Sequence, residues 1–294
     1  MHDDTPEVDD TLTPILTVER IEEDFYRGIA TPGGKGRSFG GQVIAQALMA
    51  ATHTVGPERR NHSLHVYFMR PGKAVEPVLY RVSRDMDGRS FATRRVVAIQ
   101  GGKPILTMSA SFQIEDAGLS HQEAFPPGIT PPEELENELQ LAERYPDVLS
   151  GDALAFLRLN RPIEVRPVGP MPPFDMSPRE GTQYRWIRTR FPLADDPILH
   201  RAALAYTSDM GLLQAALTVH GRSWIDPGAK VASLDHALWL HGDFRMDDWL
   251  LYAMNSPWAG NSRGMTFGKI FTRDGRLVAS VAQEGMLRVE DPTG

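Results

Sequence analysis

The stretch FGGQVIAQALMAATHTV, Phe39 to Val55, decides the fold. It is apolar for most of its length and uses Ala and Gly where bulk would be expected, so a helix built from it can lie close against a sheet. Four stretches rich in β-branched and aromatic residues follow it: HSLHVYFMR, PVLYRVSRDMD, RSFATRRVVAIQ and KPILTMSASFQ. Turn chemistry separates them, at Arg70-Pro71-Gly72, Asp87-Gly88 and Gly101-Gly102. This half of the chain therefore reads as one helix followed by an antiparallel meander.

The same order recurs about 170 residues later. HRAALAYTSDMGLLQAALTVH, from His200, reads as the helix, and VASLDHALWLH, DDWLLYAMNSPW, SRGMTFGKIFTRDG and RLVASVAQEGMLR as the strands. Landmarks align in sequence: Ala47-Leu48 with Ala216-Leu217, Ser63-Leu64 with Ser233-Leu234, Gly88 with Gly260, Gly102-Lys103 with Gly275-Arg276. A strand leads each half, Ile15 to Tyr26 in the first and Pro162 to Val168 with Tyr184 to Phe191 in the second. One helix wrapped by one curved sheet is the hotdog arrangement, and alone it leaves a sheet edge and a helix flank uncovered. Duplication supplies the cover covalently. The expected class is α+β, a double hotdog of two β-α-β-β-β-β units over residues 15–114 and 161–290. A flexible acidic N-terminus (1–14) precedes them, and a Pro-rich connector (115–160) joins them, in which PPEELENELQLAERY forms a solvated helix.

Composition removes several functions. A net charge of −7 disfavours a nucleic-acid partner held by a general basic field. No run approaches the ~18 apolar residues of a membrane span, and MHDDTPEVDD is acidic where a secretory signal is basic and then apolar, so a cytoplasmic protein is expected. The absence of Cys excludes disulfides, thiol nucleophiles and thiolate metal sites. No cluster of His and acidic residues has ligand spacing, so neither a metal nor another cofactor is expected. The nucleophile must be water or an oxygen.

RSFGGQVIAQALMAA, HSLHVYFMRPG, DGRSFATRRVVAIQ and MSASFQ in the first half, with TSDMGLL, LDHALWLH, WLLY and QEGMLR in the second, resemble the TesB-like type II acyl-CoA thioesterases. The resemblance spans Leu16 to Arg288. It implies a double hotdog that hydrolyses acyl-CoA thioesters to free acid and CoA, without a metal or a covalent intermediate. The family's catalytic trio falls on Asp209, Ser233 and Gln283. Ser233 departs from the Thr often found there, keeping the hydroxyl and losing the methyl that stiffens its rotamer. The repeat acts as a control: Gly40 stands opposite Asp209 and Ala110 opposite Gln283, while Ser233 faces Ser63, so only the second half is armed. Gln283, an amide inside the apolar run VASVAQ, is costly unless paired, and a bound water is its expected partner.

On this reading Asp209 is general base, Ser233 and Gln283 hold the water, and backbone N–H groups at a helix start opened by Gly40 and Gly41 receive the oxyanion. Taken alone, Asp209 reads more readily as a helix cap and Gln283 as a satisfied core amide. Asp235 is the rival base, two residues from Ser233 on one strand. His62, His65, His236 and His241 are assigned structural or supporting roles. Arg89, Arg94 and Arg95 form the densest basic stretch and are candidates for the CoA phosphates, with a solvated sheet face as the plain alternative. Met49, Phe68, Met69, Leu238 and Trp239 are candidates for an acyl tunnel by residue type. The rival functions are a hotdog enoyl-CoA hydratase or dehydratase, which wants a His and an acid poised together, and a non-catalytic acyl-CoA-binding module, which has no use for Asp209 and Gln283. The expected assembly is a homodimer or homotetramer.

Overall fold

Helix α2 (Gly40–Thr52) runs through the first half with every residue from Gly41 to Ala51 buried, which is what its Ala and Gly content permits. The structure, a computed structural model, describes residues 10–32, 34–149, 151 and 162–289. Residues 1–9 of the expected flexible tail lie outside these. The rest of that tail is anchored: Leu12, the N-cap of helix α1 (Thr13–Leu16), is fully buried, and so is Leu16 at the end of that helix. The single leading strand expected from Ile15 to Tyr26 is instead α1 followed by a hairpin of β1 (Val18–Glu22) and β2 (Phe25–Gly28). Its turn uses Asp24 at φ 60°, a conformation Asp tolerates better than most residues.

The meander follows as expected: β3 (Arg59–Phe68), β4 (Val78–Asp87), β5 (Phe91–Gln100) and β6 (Lys103–Ile114). In the connector, α3 (Glu138–Arg144) starts later than PPEELENELQLAERY suggested, because Asn137 forms a capping box with Gln140. The second half holds β7 (Ile163–Val168), β8 (Gln183–Thr189), α4 (Pro197–Ser208), α5 (Gln214–Val219), β9 (Lys230–Ser233), β10 (Asp235–Leu240), β11 (Leu250–Gly260), β12 (Arg263–Thr272) and β13 (Leu277–Arg288). The one helix expected over His200–His220 is thus two, broken around Gly211, which sits at φ 64°.

All strands among the described residues belong to one antiparallel sheet, in the order β1-β2-β4-β5-β6-β3-β10-β13-β12-β11-β8-β7, with β9 also on β13. The halves join where β3 pairs β10, so the edge that one unit would expose is hydrogen-bonded to its repeat. Leu64 lies opposite Leu238, His65 opposite Ala237 and Val66 opposite His236.

Two bulges correct the alignment of the repeats. The register of β3 slips between Asn61 and Ser63, and the matching slip falls on Leu234, between β9 and β10. His62 therefore corresponds to Leu234, Asn61 to Ser233 and Leu64 to His236, whereas Ser63, expected opposite Ser233, corresponds to Asp235. On this alignment His65 and Ala237 are equivalent to each other as well as paired, so the pseudo-two-fold axis passes between them. The helices shift too. It is α4 that packs on α2, and both end in a right-handed C-cap residue, His53 and Asp209. Asp209 thus corresponds to His53 and not to Gly40. The Ala-rich α5, inserted between helix and strand in the second half alone, imitated the helix and misled the sequence alignment.

Candidate active site

Asp209 closes α4, Ser233 ends β9 and Gln283 lies within β13. Ser233 pairs with Gly285, two residues from Gln283, so both side chains share the inner face of the sheet. The structure brings the three together. Gln283 is fully buried, and its Nε2 lies 2.7 Å from Asp209 Oδ1 and 2.7 Å from Ser233 Oγ. The Ser233 hydroxyl is 3.4 Å from the same carboxylate oxygen. An amide nitrogen has two hydrogens, and these two acceptors take both. The NH₂ end of Gln283 is thus taken by the acid and the hydroxyl. Asp209 does not start a helix; as the C-cap of α4 its own N–H bonds Thr207 O, and its carboxylate meets Gln283 and Ser233.

The other oxygen, Oδ2, faces the start of α2. A Cβ added at Gly40 would stand 2.7 Å from Oδ2 and 3.0 Å from the Phe68 ring, and one at Gly41 would stand 2.2 Å from the Tyr206 carbonyl oxygen. Glycine is needed here for close approach. Because the Tyr206 carbonyl belongs to α4 and cannot swing aside, Gly41→Ala should destabilise the protein by ~1–3 kcal/mol, the usual cost of overpacking. Thermal denaturation checks this, and an unchanged melting temperature would contradict the contact.

The first amides of α2 have no side-chain cap, since the N-cap is Phe39. The pseudo-equivalent end of α4 is closed: Asp196 accepts from Ile198 N–H, and Pro197 at the first turn has no N–H to give. Open donors therefore face Asp209 and not its counterpart. In the first half the equivalents of Asp209, Ser233 and Gln283 are His53, Asn61 and Ala110.

Arg94 occupies the position of Thr266 on the strand beside Ala110 and fills that side. Its guanidinium, almost fully buried, donates to Thr54 Oγ1 at 2.8 Å, Thr54 O at 3.0 Å, Met86 O at 2.9 Å and Asp87 at 2.6 Å. This corrects its assignment to CoA phosphates, because its donors already have partners inside the protein. Arg89 and Arg95 are exposed, and Arg95 pairs with Asp85 at 3.2 Å. Three strands, β6, β3 and β10, separate β5 from β13, which is roughly 19 Å between backbones. Sequence reasoning missed a different basic group: Lys35, Arg37, Arg70 and Lys73, all exposed, on two loops that join through the Arg37–Lys73 bridge and a 2.9 Å bond from Ser38 N–H to Gly72 O. These loops lead into Gly40. The signal was invisible as a run because two segments share it.

Asp235, the rival base, accepts from the Glu284 N–H at 2.7 Å, and the bulge at Leu234 turns it to the opposite face from Ser233. His62 Nε2 meets Ser111 Oγ at 2.8 Å, His241 Nε2 meets Ser280 Oγ at 2.9 Å, and His65 is exposed edge-on to Trp239. Of the apolar candidates, Phe68 stands at Gly40, Met49 and Leu238 are core, and Met69 is half-exposed. Behind the trio, Tyr252 donates to Ser208 O at 2.7 Å, and burial pushes its hydroxyl well above the ordinary tyrosine range, so it stays a donor. Arg185 stacks on Tyr252 at 5.3 Å and bonds Met210 O, fixing the chain on both sides of Asp209.

Two helices wrapped by one continuous antiparallel sheet, with an acid, an amide and a hydroxyl converging in one half alone, define a double hotdog protein. The family profile described as acyl-CoA thioesterase matches residues 155–286, and the one described as the acyl-CoA thioesterase N-terminal domain matches residues 30–113. Human acyl-coenzyme A thioesterase 8 is 40% identical over 95% of this chain and 89% of its own. Acyl-CoA thioesterase 2 of Haemophilus influenzae is 34% identical over 95% of this chain and 98% of its own. The crystal structure of acyl-CoA thioesterase II TesB2 from Mycobacterium marinum superposes with a TM-score of 0.76 at 42% identity, covering 96% of this chain and 98% of that one. The chain belongs to the acyl-CoA thioesterase family, and it hydrolyses acyl-CoA thioesters.

Proposed function

We propose that Asp209 is the general base of this hydrolysis and that water attacks the thioester directly. The observation that carries this is the single Gln283 nitrogen bonded to both Asp209 Oδ1 and Ser233 Oγ, which leaves Oδ2, on the side of Gly40, as the carboxylate oxygen to receive the proton of the attacking water. Oδ2 takes a proton as the water oxygen bonds to the acyl carbon. The oxyanion that forms sits at the uncapped start of α2, where the N–H groups of Gly40 and Gly41 and the helix dipole favour negative charge. Collapse breaks the C–S bond, and the CoA sulfur leaves with the proton held by Asp209. The free acid and CoA thiol are the products. Mass spectrometry of enzyme quenched during turnover tests direct attack: an unmodified chain is expected, and an acylated one would contradict it. Thiol release is read without background, because the protein has no Cys.

For the CoA phosphates we propose Arg37 and Arg70, on the loops that lead into α2, ahead of Arg89 and Arg95. Reversing both charges (Arg37→Glu, Arg70→Glu) should raise KM for acyl-CoA about tenfold or more while leaving acyl-pantetheine, which has no nucleotide phosphates, unaffected. Equal losses on both substrates would reject the assignment. For the whole protein we propose a cytoplasmic homodimer or homotetramer. Tyr67, Phe91 and Phe267 are exposed on the sheet face turned away from the helices, and a partner would cover them. Light scattering at micromolar concentration should exceed the monomer mass, and a monomer would refute the proposal. Among the described residues no helix is long and apolar enough to cross a membrane.

A further inference from the structure

One cross-strand pair differs between the halves in a way the trio does not account for. The register of β10 on β13, Ala237 opposite Ala282, continues to His236 opposite Gln283, with both side chains on the inner face. The equivalent pair in the first half is Leu64 opposite Ala110. The armed half thus replaces an apolar pair with an imidazole and an amide together. Both are buried, at 1% and 0% exposure. Each also has one atom, His236 Nδ1 and Gln283 Oε1, without a hydrogen-bond partner at full geometry among the described residues. A buried carbonyl oxygen left unpaired is costly, and a core His could be replaced by Leu at less cost than leaving both unsatisfied.

From this geometry, and resting on the trio proposed above, we infer that His236 is a positioning residue whose Nδ1–H donates to Gln283 Oε1, locking the amide so that its nitrogen faces Asp209 and Ser233. The chemistry fixes the direction of every bond. Asp209 accepts only, so Gln283 must present nitrogen to it and oxygen to the imidazole. Oε1 accepts only, so the imidazole must carry its proton on Nδ1. His236 Nε2, 2.9 Å from Ser208 Oγ, is then the acceptor and takes the serine hydrogen, which otherwise turns to Ala205 O at 3.0 Å. The result is a one-way chain: Ser208 to His236 to Gln283 to Asp209 and Ser233. Burial lowers the His236 pKa and keeps the ring neutral, against the charges of Asp209 and Asp235 and a hydrogen-bonding influence from Gln283 itself. An amide free to flip would present its oxygen to the carboxylate and push the base out of place.

The test is steady-state thiol release by the full-length chain carrying His236→Leu, His236→Asn, Gln283→Ala and the His236→Leu/Gln283→Ala pair. Leu is the residue the first half uses at this place. His236→Leu should lower kcat ~10–100-fold with KM changed less than about threefold, the scale of a catalytic group slightly misplaced. His236→Asn puts an amide N–H where Nδ1–H stands and should recover most of the loss. With Gln283 already removed, His236→Leu should add less than about threefold, because it acts through that amide. If His236→Leu does not fold, His236→Gln, which keeps polarity but places its N–H at the Nε2 end, takes its part and should be equally impaired. Wild-type kcat in the folded variant, no rescue by Asn, or full additivity in the pair would each overturn the inference. If Gln283→Ala is impaired while His236→Leu is not, this inference alone falls; if Gln283→Ala turns over normally, the trio falls with it.

Discussion

Asp209→Asn should lower kcat by ~10²-fold or more with KM little changed, because it removes the proton acceptor and keeps the shape. Asn preserves size and can still accept from Gln283 Nε2 through its amide oxygen, so the trio stays assembled. The Oδ2 position, which faces Gly40, becomes an NH₂ group with no basicity, and the water next to it keeps its proton. Ser233→Thr, by contrast, should be nearly neutral, and Ser233→Ala should cost less than Asp209→Asn because a water can replace one hydroxyl in part. A folded Asp209→Asn enzyme with wild-type turnover would end the general-base assignment.

Gln283→Ala should be the next most damaging change, also ~10²-fold in kcat, for a different reason. The acid survives, but the 2.7 Å bonds that aim its Oδ1 and hold Ser233 are lost together. The site is fully buried, so truncation also leaves a cavity and should lower stability by ~1–3 kcal/mol. Kinetics and thermal denaturation on the same sample separate the effects. Loss of stability with unchanged kcat would reduce Gln283 to a core amide.

The helix-and-meander order was legible because it is carried by local chemistry: Ala and Gly in α2, β-branched alternation in β3 to β6, and turn residues at their junctions. The three residues of the trio were legible through resemblance, and the structure brings their side chains within hydrogen-bond distance. What misled was alignment of one half on the other. Matching Ala216-Leu217 to Ala47-Leu48 placed Asp209 opposite Gly40, when Gly40 is its spatial neighbour and His53 its counterpart. A bulge moves register by one residue and leaves no mark in composition, so Asp235 appeared to share a face with Ser233. Arg94 read as a surface cation because its neighbours Arg89 and Arg95 are; only tertiary contact reveals that Thr54 and Asp87 claim it.

That buried guanidinium also bears on reversibility. Suppose the first half were to be rearmed one substitution at a time. Ala110→Gln alone would force an amide into a packed core beside a guanidinium whose hydrogen bonds are already made. Arg94→Thr alone would strip the Thr54 carbonyl and hydroxyl and the Met86 carbonyl of their donor. Each step descends in stability before any second site exists to reward it. Arg94 is therefore a ratchet: it makes the one-sidedness of the molecule a state from which single mutations lead only downhill.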